Sequence, residues 1–127
     1  MNDRDPTSLI DVHNHLVPGV DDGAQDVPTV LAAVERMARA GIRRIVTTPH
    51  IRAGLTLDPP ALGYRLDEVE RAWERAADAV GSDFPEIEFR LGHEVMLDVP
   101  DPDFSDRRIR MAGTDFVLVE WPRMQIP

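Results

Sequence analysis

Cysteine is absent from the 127 residues. That excludes disulfides, thiolate metal sites, iron–sulfur clusters and every enzyme built on a cysteine nucleophile. Basic residues are scarce, 14 Lys and Arg against 23 Asp and Glu, and the resulting charge of −9 argues against nucleic acid or an anionic membrane surface as a partner. Long apolar runs are also lacking. None approaches the roughly 18 residues needed to span a bilayer, and the opening MNDRDPTSLI carries no apolar signal core. The expectation is a soluble cytoplasmic protein with no membrane insertion. What is present is 43% hydrophobic residues, enough to bury a core, over a length that suits one modest domain. Internal repeats, low-complexity tracts and linker-like stretches are missing.

Apolar runs and helical patterns alternate along the chain. Leu9 to Val12 reads as a short buried strand leading into histidines and a turn-rich stretch, Pro18 to Gly23. From Asp26 the pattern becomes helical, with Val30, Leu31, Val34, Met37 and Ala38 on one face, Asp26 as N-cap and Gly41 just past the end. Ile42 to Thr48 is a β-branched run stopped by Pro49, a second strand. Residues 51 to 64, with Gly and Pro breakers, read as a loop. A second helix is expected over Leu66 to Val80, with Asp67 and Arg71 placed for an i,i+4 pair. Ile87 to Val95 reads as a third strand, 98 to 106 as loop, and Asp115 to Trp121 as a fourth, almost wholly apolar strand. Strands separated by helices imply parallel β/α units, whose reactive groups gather where strands end and loops begin.

Each expected strand delivers metal-type ligands at that end. The first ends in Asp11-Val12-His13-Asn14-His15, where residues two apart in an extended segment share a side, so His13 and His15 offer two imidazoles to one ion. The second ends in Thr47-Thr48-Pro49-His50, the third in Gly92-His93-Glu94, the fourth in Glu120-Trp121-Pro122, and the loop after the first adds Asp21 and Asp22. Taken singly these signals are weak. Three of the four histidines falling at one end of the inferred sheet, with carboxylates from two further strands, point to a metal cluster. Asp22, Glu94 and Glu120 crowded at one edge would raise their own pKa values unless cations were present. Imidazole and carboxylate without sulfur suits Mn, Fe, Zn or Mg.

The strings DVHNHLVPGVDDGAQD, TTPH, LGHEVMLD and DFVLVEWP resemble the successive motifs of the PHP (polymerase and histidinol phosphatase) superfamily. Within it they are most similar to the bacterial capsular and exopolysaccharide tyrosine-protein phosphatases, from about Leu9 to Pro127. The resemblance implies part of a distorted (β/α)7 barrel, apparently truncated after the fourth strand, with a trinuclear centre, commonly manganese. It implies that His13 and His15 bind one ion with Glu94, that Glu94 bridges to a second served by Glu120, and that Asp22 and His50 serve a third. Asp11 is then expected to orient a ligand rather than touch metal, and Asp21 to be a turn residue. His93, beside the ligand Glu94, is expected to pack away from it. Trp73 and Trp121 read as core or rim aromatics. Arg52, Arg65 and Arg123 are expected in loops near the site as candidates for phosphate, with no one of them singled out, and no catalytic residue is assigned apart from the metal ligands.

The implied reaction is hydrolysis of phosphotyrosine on a bacterial tyrosine autokinase that controls capsule or exopolysaccharide production. It proceeds by metal-activated water without a covalent phosphoenzyme, which suits a chain without cysteine. Family members are roughly twice this long, so the remaining His and Asp-x-His ligands and a substrate-binding arginine have no counterparts here. Truncation is the leading explanation, ahead of a complementing C-terminal half on another chain or a homo-oligomer that closes the barrel. Two rival functions stay open: another PHP phosphoesterase acting on histidinol phosphate, or a non-catalytic remnant that serves as a binding partner.

Overall fold

The computed structural model describes residues 8–122. In chain order it contains β1 (Leu9–Asp11), α1 (Val27–Arg39), β2 (Ile42–Thr47), β3 (His50–Arg52), a 3-10 turn (Ala53–Leu57), α2 (Pro59–Asp83), β4 (Glu88–Leu91), β5 (Glu94–Met96), a second 3-10 turn (Arg107–Ile109) and β6 (Leu118–Glu120). The strands form two three-stranded sheets, β1-β2-β4 and β3-β5-β6, and every pairing is parallel. The expected α/β class with parallel strands is what is found.

The second and third expected strands are each divided in two. β2 passes into β3 through Thr48 and Pro49, and β4 into β5 through Gly92 and His93. Pro49 has no N–H to give to a ladder. Pairing is nevertheless carried over the break, by Gly92 N–H donating to Thr47 O and Glu94 N–H to Pro49 O, both at 2.9 Å. The two sheets are therefore successive storeys of the same strands, and the upper storey starts with His50 and Glu94.

The helix α1 forms where its capping chemistry placed it. The Asp26 carboxylate accepts from Thr29 N–H at 2.8 Å and from its hydroxyl at 2.6 Å, Pro28 sits in the first turn, and Gly41 takes φ +92° just beyond the end. Helix α2 is a correction: it begins at Pro59, inside the stretch read as loop, and runs to Asp83. Prolines break a helix interior but fit its first turn, where the missing N–H has no partner in any case. Asp58 supplies the cap by accepting from Ala61 N–H at 3.3 Å. The rest of the supposed loop is β3 and the first 3-10 turn. Asp67 does not pair with Arg71 but with Arg108 Nη1, at 2.7 Å, because the second 3-10 turn brings Arg108 onto the helix flank.

Val30 and Val34 of α1 meet Ala76 and Val80 of α2 over Ile45, and Leu62 and Leu66 of α2 cover Ile51 and Val95. Burying each such aliphatic side chain contributes roughly 1.5–3 kcal/mol before ordering entropy is subtracted. The two outer strands differ from expectation. Leu9 and Ile10 of β1 are exposed, and the fourth strand shrinks to Leu118–Glu120, with Phe116, Val119 and Trp121 exposed. Both are edge strands, paired on one side only among the described residues.

Candidate metal centre

The H-x-H segment is not itself a strand but a loop clamped on buried threonines. Leu16 N–H donates to Thr47 Oγ1 at 2.8 Å, Thr48 N–H to Asn14 O at 2.9 Å, and Asn14 Nδ2 to Val46 O at 3.2 Å. Asp11 accepts from His13 N–H at 2.9 Å and from Asn14 Nδ2 at 3.1 Å, so it positions His13 through the main chain and leaves its imidazole alone. Behind His15 the chain returns so closely that a Cβ on Gly23 would lie 2.2 Å from His15 O and 2.5 Å from His15 Cβ. Only glycine fits there.

The clamped loop and the upper sheet bring six side chains together. Glu94, almost fully buried, meets His13 Nε2 through Oε2, while its Oε1 lies 3.8 Å from His15 Nε2 and 3.0 Å from His50 Nδ1. His50 Nδ1 is 3.6 Å from Glu120 Oε2, and His50 Nε2 is 3.5 Å from Asp22 Oδ1. The His15 and His50 rings stack with centroids 4.3 Å apart, and the His13 and His15 rings meet edge-on at 5.7 Å. Among the described residues, three groups offer ligand atoms within 4.8 Å of one another: His13, His15 and Glu94; His50, Glu94 and Glu120; and His15, Asp21 and His50. Register explains the second group. His50 pairs with Glu94 and Met96 with Glu120, so Glu94 and Glu120, one rung apart on neighbouring strands, present their side chains to one face.

Two carboxylates so close are costly without a cation. A hydrogen bond to Glu94, partial burial and repulsion from Glu94 together raise the Glu120 carboxyl above its ordinary range, against the opposing pull of His50 and His15. The donor set of imidazoles and carboxylates, with one carboxylate facing several imidazoles, fits divalent cations.

The two adjacent aspartates divide their work in a way the sequence does not disclose. Asp22 is 83% exposed and reaches only toward His50, whereas Asp21 is 7% exposed. Asp21 makes the expected turn contact, accepting from Gly23 N–H at 3.0 Å, but its other oxygen lies 3.2 Å from His15 Nδ1 and accepts from His50 N–H at 3.1 Å. A carboxylate on Nδ1 fixes the ring so that Nε2 faces Glu94, the arrangement by which carboxylates orient metal-binding histidines. Sequence reasoning missed this because an Asp-Asp pair does not say which member turns inward.

His93 turns away from the site and is 1% exposed. Its Nδ1 faces Arg108 O at 2.9 Å, and burial pushes its pKa down to about 4. Trp73 packs against the Val17, Val69 and Ala72 cluster and stacks on Phe89 with ring centroids 6.3 Å apart, while Trp121 lies exposed beyond Glu120. Neither Arg52 nor Arg65 is in a loop: Arg52 ends β3, and Arg65 is on α2, held by Glu68 and by Val20 O at 2.7 Å. Arg123 lies outside the described residues.

A groove of 790 Å³ opens beside His50 and Glu120, lined also by Arg52, Leu55, Met96 and Asp98.

The family described as capsular polysaccharide synthesis, CpsB/CapC, matches residues 9–126. The tyrosine-protein phosphatase YwqE of Bacillus subtilis (strain 168) is 29% identical over 121 residues, which are 94% of this chain and 45% of YwqE. The tyrosine-protein phosphatase CpsB of Streptococcus agalactiae is 41% identical over 57 residues, 45% of this chain and 24% of CpsB. A solved chain from work on YwqE of Bacillus subtilis and CpsB of Streptococcus pneumoniae, described as unique metal-dependent tyrosine phosphatases, has a TM-score of 0.69. It is 26% identical and is matched over 94% of this chain and 47% of its own length. The present chain thus spans less than half of these relatives. The match over residues 9–126 places the chain in the CpsB/CapC family of capsular polysaccharide synthesis proteins.

Proposed function

We propose that this chain carries the N-terminal ligand set of a metal-dependent protein-tyrosine phosphatase, with His13, His15, Asp22, His50, Glu94 and Glu120 holding divalent ions, manganese foremost. The single observation that supports this reading most is the convergence of imidazoles and carboxylates from four separate segments on Glu94. Bound there, divalent ions supply the positive charge that receives phosphoryl oxygens and lowers the pKa of an attacking water. The protein's own part is positional. Glu94 spans two of the three ligand groups, Asp21 holds the His15 ring, and the threonine clamp sets the spacing of His13 and His15. The groove beside His50 and Glu120 receives the aryl group and the adjoining peptide. The substrate we infer is a phosphotyrosine segment of a bacterial tyrosine autokinase in capsule or exopolysaccharide regulation. The described residues include no helix long and apolar enough to cross a membrane, and we place the reaction in the cytoplasm.

The test is metal analysis of the purified chain, followed by hydrolysis assays with manganese added, comparing a phosphotyrosyl peptide with histidinol phosphate. Retained manganese and a preference for the peptide are expected. A preference for histidinol phosphate would move the chain to small-molecule phosphoester hydrolysis, and failure to hold Mn, Fe or Zn would sink the metal centre altogether.

A further inference from the structure

Of the three arginines that the sequence left as candidates for phosphate, the structure separates one. Arg52 ends β3 two residues after His50, and alternation along a strand puts both on the same face. Register extends that face across the sheet. His50 is level with Glu94, and Arg52 is level with Met96, which is level in turn with Glu120. Arg52 therefore stands one rung beyond His50 and Glu94, level with Glu120, about 6.6 Å along the strand from His50, and lines the groove that opens there.

Its charge is uncompensated. In a chain with 23 acidic residues, no hydrogen bond or ion pair reaches the Arg52 side chain from any described residue. The carboxylates that share the groove are engaged elsewhere. Asp58 caps α2 through Ala61 N–H, Asp98 accepts from Gly54 N–H at 2.7 Å, and Glu120 is turned to Glu94 and His50. Arg65, the other arginine of the groove, is tied to Glu68 and Val20 O. A free guanidinium beside a metal-ligand cluster offers a planar fork matched to two oxygens of one phosphoryl group.

We propose that Arg52 binds the phosphoryl oxygens of the aryl phosphate monoester that enters along this groove, and is the residue by which this chain alone selects a phosphate ligand. The proposal rests on the phosphatase reading above and adds to it a substrate-contacting residue outside the metal ligands.

Calorimetry separates the two. The manganese-loaded full chain is titrated with inorganic phosphate, alongside Arg52→Ala and Arg52→Lys, and manganese binding is measured for all three. Expected results are manganese affinities within twofold of one another, phosphate affinity about tenfold or more weaker in Arg52→Ala, and partial recovery in Arg52→Lys, which keeps the charge but loses the fork. Unchanged phosphate affinity in Arg52→Ala overturns the assignment while leaving the phosphatase reading intact. Loss of manganese binding in that variant also overturns it, by making Arg52 structural. A manganese-loaded parent chain that binds no phosphate overturns both.

Discussion

The two sides of the candidate ligand cluster are built differently. On one side, the loop that carries His13 and His15 and the strand that carries Glu94 rest on buried neighbours. Thr47 and Thr48 clamp the histidine loop, and Val95 and Ile51 anchor the strands beneath. On the far side, Glu120 ends a three-residue edge strand flanked by exposed Val119 and Trp121, tied by its pairing to β5 and by Leu97 N–H donating to its carbonyl at 3.0 Å. One side is preorganised by packing, and the other is positioned mainly by backbone register. Metal affinity should therefore depend far more on the first side.

Substitution tests that asymmetry directly. Glu94→Gln removes the group on which three histidines converge, and manganese affinity should fall by more than about 100-fold, since even partners behind the ligands cost 10- to 100-fold. Glu120→Gln should cost clearly less. Equal losses in a metal titration of the two variants would erase the distinction.

The packed side also carries a pH signature. Buried His93 has its pKa lowered from 6.5 to about 4. The unfolded chain takes up that proton first, so the contribution to stability is complete above pH 6.5 and is lost as the pH falls toward 4. The loss amounts to about 3 kcal/mol at most. Denaturant unfolding of the metal-free protein at pH 7 and pH 4.5 should show this loss, and His93→Gln should flatten it. If the two proteins keep the same pH slope, His93 is not the titrating group.

The smallest effect is expected at the open edge. Val119→Thr keeps β-branching at a surface site, and the unfolding free energy should change by no more than about 0.5 kcal/mol. A loss of 2 kcal/mol or more would mean that this strand is packed as tightly as the rest.

How much of this the sequence disclosed follows the range of the interactions involved. Asp26, the apolar face of α1 and Gly41 spell out a helix within one short segment, from 26 to 41, because caps and periodicity are local. The start of α2 was hidden, since Pro59 and Pro60 are breakers in one position and starters in another, and only the Asp58 cap decides between them. The division of the strands at Pro49 and Gly92 was also out of reach, because it depends on which sheet each half joins. At the site, residue types and strand ends were enough to nominate six candidate side chains, and the structure places these close together. Which of Asp21 and Asp22 turns inward, and which arginine stays free, depends on partners dozens of residues away, such as His50 for Asp21 and Val20 for Arg65.

The glycines of this chain are unequal in their tolerance of change. Gly63 and Gly81 lie within α2 with open space where a methyl would go, so alanine there trades chain freedom for helix preference. Gly23 faces the main chain of His15 across a gap too narrow for any carbon. In a library of all single substitutions, position 23 would admit glycine alone, even though glycine itself bears no ligand atom.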